Sequence, residues 1–208
     1  MEIALIAEGT SDKVLIPSVR WLCKDINPDK LYEIEPIIFD NISPKPNLST
    51  KVEIVLRQNK HQLILVHRDQ DNMSRNQRIN EIEESLKSAQ QRIYGARELH
   101  CVPLIPVRMT EAWLLIDEQA INIAAGNRNN KVALDLPKPR HLEAIADPKD
   151  LLYKKIRLAS GLSGRKLKKL RPSQTIHSLA DIIEDYSPLN ELSAFDLLRH
   201  DLYRAIGY

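Results

Sequence analysis

Ile3-Ala4-Leu5-Ile6-Ala7-Glu8-Gly9-Thr10-Ser11-Asp12 is the stretch on which the fold turns. Its apolar run is too short for a helix and has no polar alternation, so it suits a strand covered on both faces. Glu8 to Asp12 then reads as a tight turn opening a helix. Thr10 or Ser11 can cap that helix, and Asp12 suits its positive first turn. Val14, Leu15, Val19, Leu22 and Cys23 supply the apolar face, with Pro17 in the first turns.

Outward from there, a second strand is expected over Tyr32–Phe39 and a helix over Leu48–Gln58. A strongly apolar strand over Gln62–Val66 ends in His67-Arg68-Asp69-Gln70-Asp71. Ile79, Ile82, Leu86, Ala89 and Ile93 recur at three- and four-residue spacing, which predicts a mostly exposed helix over Arg75–Ile93. Leu99–Val107 supplies a fourth strand, and Pro103 and Pro106 put it at an edge or end it early. Strands alternating with helices predict an α/β fold with a mainly parallel sheet flanked by helices.

The second half reads as a helical C-terminal extension. Helices are expected over Thr110–Ala125, Pro148–Ala159, Thr175–Asp185 and Leu192–Ile206, with a polar loop over Gly126–Arg140. The division falls at residues 1–117 and 118–208, the extension packing on the same domain. A chain of 208 residues, 43% hydrophobic and 28% charged, has the composition of an ordinary folded domain with a full core.

Cys23 and Cys101 stand in apolar runs without paired spacing, which argues against a disulfide framework or a zinc ribbon and fits a reducing compartment. No signal peptide or membrane-length apolar run is evident, so a cytoplasmic protein without membrane attachment is expected. There is no GxGxxG fingerprint and no GxxxxGK[ST] loop, so dinucleotide and P-loop nucleotide binding lack support. The histidines lack zinc-site spacing. His67, just before the acidic loop, is read as structural or as supporting a ligand.

Net charge is only +2, but its distribution is uneven. Lys154 to Arg171 holds eight basic residues and no acidic one, whereas Asp181 to Asp201 is predominantly acidic. Arg165, Lys166, Lys168, Lys169 and Arg171 are therefore candidates to neutralise nucleic-acid phosphates. An equally plain reading of that run is a solvated lysine-rich surface.

Ligands of open parallel sheets bind outside the carboxyl ends of the strands, where both Glu8 and the Asp69/Asp71 pair are predicted to lie. Carboxylate oxygens suit hard Mg²⁺ or Mn²⁺, and three such groups repel one another unless a cation joins them. The bland alternative is a helix cap at Glu8 and a polar loop at Asp69-Gln70-Asp71-Asn72.

Glu8-Gly9-x-x-Asp12 after a first strand, followed by Asp69-x-Asp71 after a third, resembles the TOPRIM domain of primases, topoisomerases and OLD-type nucleases. The resemblance covers about the first 110 residues and implies divalent-metal binding by Glu8, Asp69 and Asp71. The segments Pro106-Val107-Arg108-Met109-Thr110-Glu111-Ala112-Trp113-Leu114-Leu115-Ile116-Asp117 and Asp147-Pro148-Lys149-Asp150-Leu151-Leu152 are similar to segments of an uncharacterised bacterial TOPRIM-like family often associated with phage-defence or mobile-element systems. That similarity implies Glu111 as a further metal ligand and Lys149 as a stabiliser of phosphate charge. Asn72-Met73-Ser74 stand where a glycine usually follows the second aspartate.

These residues lead to the expectation of a metal-dependent nuclease, with Arg108 or Lys149 neutralising the scissile phosphate. Arg108 and Glu111, three apart, could instead form a surface ion pair, and Trp113 is expected in the core. A second expectation is a non-catalytic or conditionally active subunit docked on an ATPase partner. A third is a nucleotide-sugar transferase, since a strand-end Asp-x-Asp can also hold a metal–diphosphate.

Overall fold

The computed structural model describes residues 1–40, 42–93 and 99–207. Four strands, β1 (Glu2–Ile6), β2 (Glu33–Ile37), β3 (Leu63–His67) and β4 (His100–Leu104), form one all-parallel sheet in the order β2-β1-β3-β4. Helices α1 (Leu15–Ile26), α2 (Leu48–Gln58) and α3 (Arg75–Gln91) connect them. The expected α/β class is therefore what the chain adopts, with β4 on an edge as its prolines require.

Strand side chains alternate between faces, and the two halves of each strand sort into two cores. Ile3, Leu5, Leu63, Leu65, Val102 and Leu104 face α1 and the C-terminal helices. Ala4, Ile6, Ile64 and Val66 face α2 and α3, meeting Val52, Val55 and Ile82. Because β1 and β3 are covered on both sides, Ile3–Ile6 and Leu63–Val66 are apolar at every position. The register places Ile3 beside Leu63 and Leu65 beside Val102, which brings the carboxyl ends of β1, β3 and β4 level with one another.

The C-terminal helices are α4 (Glu118–Ala124), α5 (Pro148–Ser160), α6 (Gly164–Lys169), α7 (Pro172–Ile182) and α8 (Ser193–Ile206). All but α6 share one continuous apolar cluster with β1 and β3, and α8 packs against β4 and α1. Among the described residues no helix is long and apolar enough to cross a membrane.

Several expected boundaries are corrected. The single helix over Thr110–Ala125 is a 3-10 turn, Thr110–Leu114, followed by α4. Asp117 separates them, its carboxylate accepting from the Ala120 N–H at 2.9 Å as the cap of α4. Thr10 and Ser11 do not cap α1, because residues Thr10–Val14 form their own 3-10 turn before it. The loop expected over Gly126–Arg140 gives way to a 3-10 turn at Pro139–Ala144. Helix α7 begins at Pro172, where proline's fixed φ and missing N–H suit the first helical position. Helix α6, in the basic run, had no apolar periodicity to announce it and has no buried residue.

Candidate functional site

Three strand ends and one helix start build a small polar cleft of about 120 Å³. Asp12 enters it from the turn after β1, Asp69 and Asp71 from the segment after β3, and Glu111 from the turn after β4. Lys149 arrives from the first turn of α5, just after Pro148 at the helix start. Four of these five are groups the sequence placed in or beside a site.

Local structure explains each position. The Asp12 carboxylate folds back to accept from the N–H groups of Glu8 and Gly9, at 2.7 and 3.1 Å, which fixes the turn after β1. The buried ammonium of Lys51 donates to the Ala7 carbonyl at 3.2 Å and lies over the Phe39 ring, pinning the end of β1 from the other side. After β3, the N–H groups of Arg68 and Gln70 still donate to Leu104 and Pro106, both at 3.1 Å, so the acidic segment continues alongside the neighbouring chain. Asp71 then adopts φ of 49°, and the Met73 N–H closes back on the Gln70 carbonyl. The left-handed conformation thus falls on the aspartate itself, a residue type enriched there, and no glycine is needed after it.

The turn carrying Glu111 is anchored by its own tryptophan. Trp113 is buried and meets Phe195 of α8 edge-to-face, with centroids 5.2 Å apart. It is core, as its apolar setting predicted. Glu111 in the same turn is buried and pairs with Lys149, Oε1 to Nζ at 3.1 Å.

Behind the cleft lies His67, fully enclosed at the end of β3. Its Nδ1 stands 3.1 Å from Asp12 Oδ2 and its Nε2 3.3 Å from Asp69 Oδ1. Burial alone would push the imidazolium pKa down, but the two carboxylates outweigh burial and hold it up at about 9. Burial would conversely raise Asp12, and its bonds to His67 and to the turn N–H groups leave its carboxyl below the usual range. Both ring nitrogens accordingly act as donors, and the histidine locks two acidic segments from different strands together. The Thr110 hydroxyl lies 3.4 Å from Asp69 Oδ1, adding a third segment.

Glu8 is placed differently from its expectation. Its carboxylate pairs with Arg68 at 2.7 Å and is not among the residues lining the cleft. Arg68 also holds Glu81 of α3 at 2.8 Å, which draws Glu8 toward the α3 side. Asp12, part of the Glu8-Gly9-x-x-Asp12 motif but read only as a helix-dipole residue, takes the inward position instead. Arg108 does not pair with Glu111. It is exposed, with φ of 64°, and lines an adjoining depression with Asp71 and Met109. Arg165, Lys166, Lys168, Lys169 and Arg171 are exposed and are not among the residues lining the cleft.

The donor set of the cleft is oxygen, from the carboxylates and from the Ser11 and Thr110 hydroxyls, which is the chemistry Mg²⁺ and Mn²⁺ require. Among the described residues no three Asp, Glu, His or Cys side chains are gathered into a ready-made metal cage. Each acid is held by a cation of the chain: Glu111 by Lys149, Asp71 by Arg78 at 3.5 Å, and Asp69 by His67. A site of one or two carboxylates still fits Mg²⁺, which keeps several waters and takes further oxygens from substrate phosphate.

No family model, curated protein or solved structure matches the chain.

Proposed function

We propose that the chain is a metal-dependent nuclease that hydrolyses phosphodiester bonds at the Asp69–Glu111 cleft. The observation that carries this reading is the meeting of Asp69, Asp71, Glu111 and Lys149 in one small cleft at the carboxyl ends of parallel strands. Carboxylates beside a lysine match the two needs of the reaction, a seat for a hard cation and a positive charge for the phosphate.

In this reading Asp69 and Asp71 hold the ion, with Glu111 as a further oxygen. When bound, a Mg²⁺ or Mn²⁺ would lower the pKa of its water and stabilise charge on the phosphate. Lys149, released from Glu111 as substrate enters, donates to a non-bridging phosphate oxygen. His67 stays behind Asp69, keeping one of its oxygens turned inward and leaving the other free. Glu8 contributes by holding Arg68 rather than by ligating. The test is cleavage of plasmid and single-stranded DNA with Mn²⁺, comparing wild type with Asp69→Asn. Equal activity in the two proteins refutes the assignment.

A second reading is favoured by the internal pairing of the acids. Where Lys149 and Arg78 already occupy Glu111 and Asp71, the site needs rearrangement before it can take an ion, and a protein partner such as an ATPase can supply that. Activity that emerges only with a partner would select this second reading. Under either reading a role in phage defence or on a mobile element follows from the resemblance alone.

A further inference from the structure

We infer that the carboxylate cleft is the middle of a track for one polynucleotide strand, gripped on one side by Lys13, Arg20 and His177 and on the other by Arg108. The inference rests on the phosphodiesterase reading of the cleft and adds the path of its substrate.

Two larger depressions flank the cleft. One, of about 410 Å³, is lined by Thr10, Lys13, Arg20 and His177, with Asp181 its one carboxylate. The other, of about 360 Å³, is lined by Asn72 and Arg108 and shares Asp71 and Met109 with the cleft. Thr10 and Lys13 adjoin Ser11, Asp12 and Val14, which line the cleft. The Arg108 hollow thus opens directly from the cleft, and the Lys13 hollow lies across the Thr10–Val14 turn from it. Helix α7, which supplies His177, packs on the Thr10–Val14 turn and on α1, so the far side of the track belongs to the folded core.

The division of charge along this path is specific. At the centre, the cations are committed: Lys149 to Glu111, Arg78 to Asp71 and His67 to Asp12 and Asp69. At the two ends they are not. Among the described residues no carboxylate pairs with Lys13, Arg20 or Arg108, although all three are exposed. A central cleft lined by acids repels a phosphate chain, so attraction for such a chain must come from the flanks. Uncommitted cations on both flanks of an acidic centre are the arrangement that holds a chain on either side of its cleaved bond. At about 120 Å³ the cleft has room for one phosphodiester group. The lysine-rich run around α6, singled out by the sequence, lines neither flank.

The test measures binding without cleavage, in EDTA, by fluorescence anisotropy of labelled oligothymidylate and oligouridylate of roughly twelve nucleotides, a length typical of single-strand sites. With the tighter of the two, Lys13→Ala/Arg20→Ala is expected to weaken binding roughly tenfold and to flatten the slope of log affinity against log salt by about 1.4, since each single-strand phosphate contact contributes about 0.7. Arg108→Ala is expected to flatten it by about 0.7. Unchanged melting temperatures confirm that the fold is intact. Binding of neither strand, an unaltered slope in the double variant, or equal binding of duplex DNA overturns the track. If wild type cuts DNA and the double variant binds like wild type, the track fails and the nuclease reading stands. If binding behaves as expected and no cleavage is found with Mn²⁺, the track stands and the nuclease reading fails.

Discussion

The ammonium of Lys149 stands 3.1 Å from Oε1 of Glu111, with the lysine side chain about half exposed and the glutamate almost fully buried. The two residues come from different parts of the chain, one from α5 and one from the turn after β4, so the pair ties the helical extension to the sheet's carboxyl end. Burial pushes the lysine pKa down and the glutamate raises it further than that, leaving it above the ordinary lysine value.

Removing one partner leaves Glu111 enclosed without its cation. Lys149→Met is expected to destabilise the protein by about 1–2 kcal/mol, less than for a fully buried pair because the lysine is half in water. That corresponds to a fall of roughly 3–6 °C in Tm for a chain of this size. Adding Glu111→Gln to Lys149→Met should recover most of the loss, and thermal melts of the four proteins check it. A Lys149→Met protein as stable as wild type means that water already compensates the glutamate.

The enclosed His67 makes stability depend on pH. Its folded pKa of about 9 lies above its ordinary value, so its contribution is fully present below about pH 6.5. As pH rises past that value the unfolded chain sheds the proton while the folded one keeps it, and the contribution is lost as pH passes through about 9. Asp12, with its pKa lowered, acts oppositely: its share is lost as the solution becomes acid. The difference in Tm between wild type and His67→Gln should therefore be largest near about pH 5–6 and shrink by about pH 10. A difference that stays flat across that range would mean the histidine is neutral in the fold.

Metal affinity should rank the acids by their position relative to the cleft. Asp69→Asn is expected to weaken Mn²⁺ binding at least about tenfold, and Glu8→Gln, whose carboxylate is held by Arg68 outside the cleft, by no more than about threefold. Isothermal titration reads both. A larger loss for Glu8→Gln would return it to the place its motif suggested.

Asn59 ends α2 in the left-handed region, at φ of 49°. Asn59→Gly should be neutral to stabilising by a few tenths of a kcal/mol, while Asn59→Val should cost about 1–2 kcal/mol because its branched Cβ meets the following carbonyl. Urea denaturation distinguishes the two, and equal midpoints would show that the helix end relaxes.

The sheet could be read from residues because its two central strands are built on unbroken apolar runs, and Ile3–Ala7 and Gln62–Val66 allow little else. The placement of Asp69, Asp71 and Glu111 in one cleft follows from the ends of β3 and β4 lying level, and Lys149 joins them from the start of α5. What could not be read was the choice between Glu8 and Asp12, since both follow β1 closely. Arg68, next to Asp69 in sequence, reaches back to Glu8 and settles that choice, and such a long-range ion pair has no sequence period. The same holds for Lys13, Arg20 and His177: two lie a helical repeat apart and the third comes from α7, so no run of charge announces them. The lysine-rich segment around α6 was conspicuous only because its charges are consecutive.

The level ends of β1, β3 and β4 have a further consequence, for the order of events during synthesis. The sheet is completed by residues near 104, yet Glu111 and Lys149 come later, and the helix that buttresses Trp113 begins only at Ser193. A ribosome that has delivered the sheet has therefore delivered neither the complete cleft nor its support. The turn that carries Glu111 gains its apolar backing only once α8 has packed against Trp113.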